Sequence, residues 1–355
     1  MAYTLLNTSF QAVDVVEDYD TLIWTDRYAS AGDFELHVAA SRANISKYKE
    51  DYYLVSDEDY RVMILDTIEI VDDAESGSKL KVTGVSLEYI LDRRILWGYY
   101  TLSGSLQTAV KRLLNEAAIS PTDSTRKISN LSMIDSTDPL ITSLQIDTQY
   151  LGTNLYTAIS ELCAAYDIGF QILMPTPGVF QFKLYAGVDR SYSQGVRQVV
   201  MFSPDFDNMG GSTYLRSVRG RKTVTLVGGE GQDANKRFAQ IAIKSGTASG
   251  LNRREIYTDA SSITSTVDGA TTPAATYLKQ LQQKGLENLT DNGVVTTFDG
   301  SIEIVDSAKY LTHFWMGDII QMENSYGAGA SSRVVEFIRA YTPTGMKAYP
   351  TLAAT

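Results

Sequence analysis

Histidine and cysteine are almost missing from this chain, with two and one in 355 residues. A lone Cys163 rules out an internal disulfide. So few nitrogen and sulfur donors also leave a structural zinc or transition-metal centre without a ligand set. An oxygen-only Ca²⁺ or Mg²⁺ site stays open, because 42 carboxylates are available. Also missing is any run approaching the ~20 apolar residues needed to cross a bilayer. The amino end, MAYTLLNTSF, has neither the basic nor the apolar segment of a signal peptide. No membrane-spanning segment and no cleaved leader are expected. Positive charge is the scarcer sign, and the net −11 argues against a dedicated nucleic-acid binder, whose affinity rests on cations neutralising phosphates. Passing contact with DNA is still compatible with it.

What is present suffices to fold: 44% hydrophobic residues, 21% charged, and 22 tyrosines. The length exceeds one ordinary core of roughly 100 to 200 residues, so two or three domains follow. From Gln11 to Leu87 strand succeeds strand. Phe34, Leu36 and Val38 alternate with Glu35 and His37, the pattern of a half-buried strand. Asp57-Glu58-Asp59 and Glu75 to Ser78 read as turns between strands. Strands at this spacing predict a small barrel or sandwich.

The character changes after Gly98. Ser105 can cap a helix whose Leu106, Ala109, Val110, Leu113, Leu114 and Ala117 form one stripe. Ser120 to Asp138 reads as an exposed loop. A second helix follows, capped at Thr153 or Asn154, with Leu155, Ala158, Ile159, Leu162, Cys163 and Tyr166 inside and Gly169 as its stop. Cys163 is then a core atom. Phe170–Met174 and Val179–Tyr185 flank a Pro-Thr-Pro-Gly turn. Beyond it come strands at 198–202, 214–227, 239–244, 253–257, 293–304, 319–322 and 334–341. A single helix interrupts them, capped at Thr272, with Tyr277, Leu278, Leu281 and Leu289 inside. The fold class is α+β, mainly β: a first β-barrel-like domain (1–100), a small α/β lobe (101–190) and a second β-barrel-like domain (191–355).

Candidate chemistry is thin. Asp205-Phe206-Asp207-Asn208-Met209-Gly210 begins like a Ca²⁺ loop, but its fifth position is Met209 and its twelfth Arg216, so a turn held by local side chains is the better reading. Gly228-Gly229-Glu230-Gly231 lacks the helix and the Lys-Ser/Thr pair of a phosphate loop and reads as a hairpin tip. His37 and His313 offer no triad partner to a serine. A carboxylate-only glycosidase needs just two acids roughly 5 to 9.5 Å apart, which sequence cannot show. It would line its cleft with Trp, and of Trp24, Trp97 and Trp315 two sit where core packing is the better reading. No catalytic, metal or cofactor residue is therefore assigned. The cations Arg216, Arg219, Arg221 and Lys222 stand out in an acidic chain as a candidate subunit contact, since Arg suits interface ion pairs.

Several stretches carry a resemblance. They are Trp24-Thr25-Asp26-Arg27-Tyr28 with Ala31-Gly32-Asp33-Phe34-Glu35-Leu36, then Leu91-Asp92-Arg93-Arg94, Gly187-Val188-Asp189-Arg190-Ser191 and Phe202-Ser203-Pro204-Asp205-Phe206-Asp207-Asn208. Arg253-Arg254-Glu255 and Met316-Gly317-Asp318 follow. In their order and spacing the chain resembles the siphovirus ReqiPepy6 Gp37-like proteins, which belong with the baseplate hub and tail-tip proteins of long-tailed phages. The resemblance implies a phage tail-hub-like homotrimeric ring at the tail tip, assembled in the host cytoplasm. Two similar β-barrel domains per subunit would match a sixfold tube to a threefold tip. It further implies contacts with the distal tail protein ring and tail tube, the tape measure protein and receptor-binding or tip proteins, and passage of DNA. No cofactor and no catalysis are implied. A tail-associated cell-wall hydrolase working through carboxylates is the alternative.

Overall fold

The computed structural model describes residues 3–56, 61–72, 77–231, 237–242, 248–267, 270–302, 308–327 and 329–354. The first region gives β1 (Tyr3–Leu6), β2 (Ala12–Val16), β3 (Thr21–Arg27), β4 (Asp33–Ala39), α1 (Arg42–Lys47), β5 (Tyr53–Ser56), β6 (Val62–Val71) and β7 (Lys79–Ser86). Phe34, Leu36 and Val38 are buried along β4, as their alternation requires. The acidic hairpin stands, with β5 antiparallel to β6; its tip at 57–60 lies outside the described residues, as does the first half, 75–76, of the turn expected at 75–78. Helix α1 was not legible in the pattern, having no buried residue; Ser41 caps it by accepting a hydrogen bond from the Asn44 amide.

The middle region contains β8 (Tyr99–Ser105), α2 (Leu106–Leu114), β9 (Leu131–Ile134), α3 (Pro139–Thr142), β10 (Gln145–Leu151), α4 (Leu155–Ala165), β11 (Gly169–Thr176) and β12 (Val179–Tyr185). The α2 stripe is buried and runs on through a π-helical turn over Asn115–Ile119. Asn154 caps α4 by accepting from the Thr157 amide. The stop of α4 differs from expectation. Asp167 takes the left-handed conformation at φ 53°, which a short polar side chain tolerates, and Gly169 already belongs to β11. The expected loop at 120–138 contains β9, which pairs in parallel with β12, while β10 pairs with β8. Four residues are too few for β9 to show a period.

The third region gives β13 (Met201–Phe202), β14 (Met209–Ser217), β15 (Val224–Gly228), β16 (Phe238–Ala242), β17 (Glu255–Asp259), β18 (Thr266–Val267), β19 (Ala270–Thr271), α5 (Ala274–Asp291), β20 (Val295–Ile302), β21 (Ile319–Glu323), β22 (Gly329–Thr342) and β23 (Gly345–Ala354). Residues 214–227 are not one strand: β14 and β15 belong to different sheets. Pro273, not Thr272, occupies the cap position of α5, and Leu278 is 43% exposed rather than inside. The strand at 334–341 is not the last, because β23 follows it in a tight hairpin.

Thirteen strands form one sheet, in the order β14-β20-β23-β22-β3-β4-β7-β6-β5-β1-β2, with β21 beside β22 and β13 beside β21. Both β regions therefore share hydrogen bonds. The link is β22, whose first part pairs with β21 and whose second part pairs with β3. Its register against β23 shifts between Val334 and Glu336, and there the Val335 carbonyl accepts from the Tyr28 amide at 2.9 Å. The local irregularity lets one strand serve two partners. Among the described residues no sheet closes on itself.

Between β14 and β20, whose ends pair at Ser217 and Val295, the chain leaves the sheet and returns. The inserted unit is a small sheet, β16-β15-β17, against α5, with its own core of Val227, Ala239, Ala260, Ile263, Tyr277 and Leu281. It leans on the middle lobe, where α5 packs against β10 and α4. That contact is polar. Tyr166 donates to Gln283 at 2.7 Å, and the Thr264 amide donates to Gln149 at 3.0 Å. Gln280 is fully buried with neither amide atom hydrogen-bonded.

Candidate functional site

The separated sequence landmarks converge on one joint. Tyr28, just after β3, donates its hydroxyl to the Asp167 carbonyl at 3.1 Å and accepts from the Gly187 amide at 3.2 Å. Asp318 accepts from the Val188 amide at 2.8 Å and, through its second oxygen, from Arg190 at 2.6 Å and the Trp315 amide at 3.0 Å. Gly187 and Gly317 are required by closeness. A Cβ at Gly187 would lie 1.7 Å from the Gly317 carbonyl oxygen. One at Gly317, where φ is +88°, would lie 2.2 Å from the Tyr28 ring. The middle lobe thus hands over to the third region at Gly187 through a close-packed joint. Arg190 also lies over Trp315, 5.0 Å from its ring centre.

A second constellation locks β3 to β22. Asp26, 2% exposed, accepts from Trp24 at 3.0 Å and Tyr310 at 3.2 Å, and pairs with Arg61 and Arg339, each at 2.9 Å. Burial pushes its carboxyl up, but Arg61, Arg339 and the hydrogen bonds outweigh that, so it is held below the usual range. Arg27 pairs with Glu336 at 2.7 Å and Asp33 at 2.5 Å. Phe34 and Trp24 fill the core beside them, with Trp24 stacked on Tyr3. A Cβ at Gly32 would lie 2.0 Å from the Thr25 carbonyl oxygen.

The turn after Phe202 is held by local side chains: Ser203 accepts from the Asp205 amide, and Asn208 accepts from the Ser203 amide and donates to the Met201 carbonyl. Pro204 opens its 3-10 turn, and Asp207 takes φ 50°. Gly228 to Gly231 lead into the β15–β16 hairpin, the Gly229 amide donating to the Arg237 carbonyl at 2.7 Å, and the segment is anchored, for Glu230 binds the Tyr277 hydroxyl and the Ser265 amide. Cys163 is fully buried, and burial pushes its thiol up. Glu88 is buried too, its carboxyl raised by desolvation while it accepts from the Ile172 amide at 2.8 Å. One tryptophan, not two, is core: Trp97 and Trp315 are 57% and 42% exposed. Many tyrosines, among them Tyr3, Tyr48, Tyr100, Tyr150 and Tyr277, are buried, so tyrosine abundance does not by itself mark an interface.

The cationic residues leave β14 in stages. Arg216 is on the strand, Arg219 on the connector after it, and both are exposed; Arg221 and Lys222 are half-buried. The Arg221 amide closes a turn on the Val218 carbonyl, which is why no strand continues through them. Strands β14 and β20 lie at the edge of the large sheet, where β20 packs along β23 and, among the described residues, pairs with it at Ile302 and Ala348. Every residue from Gly210 to Arg216 is exposed, as are Val218, Val294 and Val295. None of the ion pairs among the described residues uses Arg216, Arg219, Arg221 or Lys222.

Comparison with known proteins decides the family. The model for Siphovirus ReqiPepy6 Gp37-like protein matches residues 2–352. The chain belongs to that family. It has the fold of phage tail proteins. A 43 kDa tail protein of prophage MuSo2 from Shewanella oneidensis superposes with TM-score 0.60 at 11% identity, over 100% of this chain and 98% of its own. A tail protein from Neisseria meningitidis MC58 gives 0.57 at 10%, over 99% and 96%. Prophage tail protein gp18 from Listeria monocytogenes gives 0.56 at 13%, over 99% and 94%. No curated protein matches in sequence.

In this Gp37-like chain the remaining landmarks also serve backbone positions. The Asp92 carbonyl accepts from Asn154, Arg93 pairs with Asp51, and Arg94 donates to the Arg126 carbonyl. Arg253 pairs with Glu255, and Arg254 donates to the Val218 carbonyl.

Proposed function

We propose that this phage tail protein is the hub of the tail tip, without enzymatic activity. Three copies form a ring on the tail axis, each giving two barrel-like β regions. The observation that carries this is the edge strand β14, exposed on both faces from Gly210 to Arg216, with apolar Leu215 and, at the start of β20, Val295 at 50% and 49% exposure and a cationic end without carboxylate partners among the described residues. An exposed edge strand such as β14 presents unpaired backbone groups that invite another chain, and a neighbouring subunit would cover it. Arg216, Arg219, Arg221 and Lys222 would meet carboxylates of that neighbour, abundant in a chain of net charge −11. The ring would sit between the distal tail protein ring and tail tube on one side and receptor-binding or tip proteins on the other. It would receive the tape measure protein and pass DNA. An acidic bore would give little adhesion, because phosphates meet too few cations to release their counterions.

The test is image reconstruction of intact tails, with light scattering on the purified chain. Density for three copies at the tip with the β14 edge between them is the expected result, and Arg216→Glu with Arg219→Glu should abolish the assembly. A single copy per tail, or a β14 edge facing solvent in the assembled tip, would refute the reading. A channel lined by Arg and Lys would refute the acidic bore.

A further inference from the structure

The middle lobe carries a second exposed surface, remote in sequence from the β14 edge. Ile95, Trp97 and Tyr99 are 48%, 57% and 44% exposed, and Leu151, directly opposite Tyr99 across the β8–β10 pair, is 45% exposed. Their proximity follows from pairing: Ile95 bridges to Asn154, and the Leu96 amide donates to the Thr153 carbonyl at 2.8 Å. Over this apolar strip lie guanidinium groups. Arg126 stacks on Trp97, 4.0 Å from the ring centre, and donates to the Ile95 carbonyl at 2.5 Å. Arg94 donates to the carbonyls of Arg126 and Arg93. Neither Arg94 nor Arg126 makes an ion pair among the described residues, although Arg93 does, with Asp51. Burial and the neighbouring charges of Arg126 and Arg93 push the Arg94 guanidinium down. The nearby acid, Asp123, is occupied with the amide and hydroxyl of Thr125.

We propose that Ile95, Trp97, Tyr99, Leu151, Arg94 and Arg126 form a docking surface for an acidic segment of another protein. Like charges crowded beside a single exposed carboxylate, Asp123, that Thr125 already occupies favour a further anionic partner, and two guanidinium groups held by backbone carbonyls are preorganised to receive one. Trp, Tyr and Arg together are also the residue types that dominate binding energy at protein interfaces. Nucleic acid fits less well. Ile95 and Leu151 cannot stack on bases, and so few cations in a chain of net −11 release few counterions. The proposal is independent of the ring described above.

A fluorescein-labelled random copolymer of glutamate and tyrosine, titrated into the full chain and followed by anisotropy, tests it. Saturable binding that weakens with salt is expected, reduced about tenfold or more by Trp97→Ala and by Arg126→Glu. Trp97 is mostly exposed, so thermal unfolding of its variant should match the parent. Absence of saturable binding, or binding indifferent to both substitutions, would overturn the proposal. Tighter binding of a thymidine oligonucleotide would overturn it in favour of nucleic acid. Self-association lost in both variants, with no copolymer bound, would overturn it in favour of a second copy.

Discussion

Replacing Asp26 with Ala should be the most damaging single change in the seam between the two β regions. Its carboxylate holds Trp24, Tyr310, Arg61 and Arg339 at once. Without it Arg339, 3% exposed, loses the buried carboxylate that pairs with it at 2.9 Å, from a residue 313 positions away in sequence. Breaking a buried pair from one side costs about 3–5 kcal/mol, and Asp26→Ala should reach the upper end. Arg339→Met should cost less, because Asp26 keeps Arg61, Trp24 and Tyr310. The two changes share one network, so the double variant should fall short of additivity by about 1–3 kcal/mol. Urea unfolding followed by tryptophan emission reads this, since Trp24 reports on the site itself. The pH dependence carries a sign. The Asp26 carboxyl is lowered in the fold, so its contribution is complete above the unfolded value of about 3.9 and disappears as pH falls through the lower folded value. Acid unfolding of Asp26→Asn should lack that component. A loss under about 1 kcal/mol for Asp26→Ala, or strict additivity with Arg339→Met, would refute the argument.

Three further outcomes follow from burial and closeness. The Glu88 carboxyl is raised by desolvation, so its favourable share is present below the unfolded value of about 4.3 and is lost as pH rises through the folded one. Glu88→Gln, which can still accept from the Ile172 amide, should therefore stabilise by about 1 kcal/mol near neutrality and by nothing at pH 3, as thermal melts would show. Gly187→Ala should cost at least about 3 kcal/mol, since its Cβ meets the Gly317 carbonyl, whereas Gly195→Ala, with nothing within 4 Å, should stay within about 0.5 kcal/mol; chemical denaturation separates them. Gln280→Leu should slow hydrogen exchange in α5 selectively by stabilising the inserted unit by about 1–2 kcal/mol, because it removes two buried, unbonded amide atoms; uniform slowing across α4 as well would contradict a separate unit.

The sequence by itself determined what periodicity and composition can carry: the alternation of β4, the apolar stripes of α2 and α4 with their Asn154 cap, the hairpins of β5–β6 and β11–β12, and Cys163 as core. It also carried the family resemblance, written in landmarks scattered from Trp24 to Asp318. Tertiary structure alone decided which strands share hydrogen bonds. Nothing local in Val334 to Tyr341 says that its partner is β3, because strand pairing is set by the backbone of both members and leaves no period in either. For the same reason β9 and β10 leave no signature of their own in the sequence, and the pattern does not separate β14 from β15. The landmark residues looked like separate signatures. Folding gathers Tyr28, Gly187, Arg190, Gly317 and Asp318 into one joint, where glycine is needed because a backbone from another region occupies the space a Cβ would take.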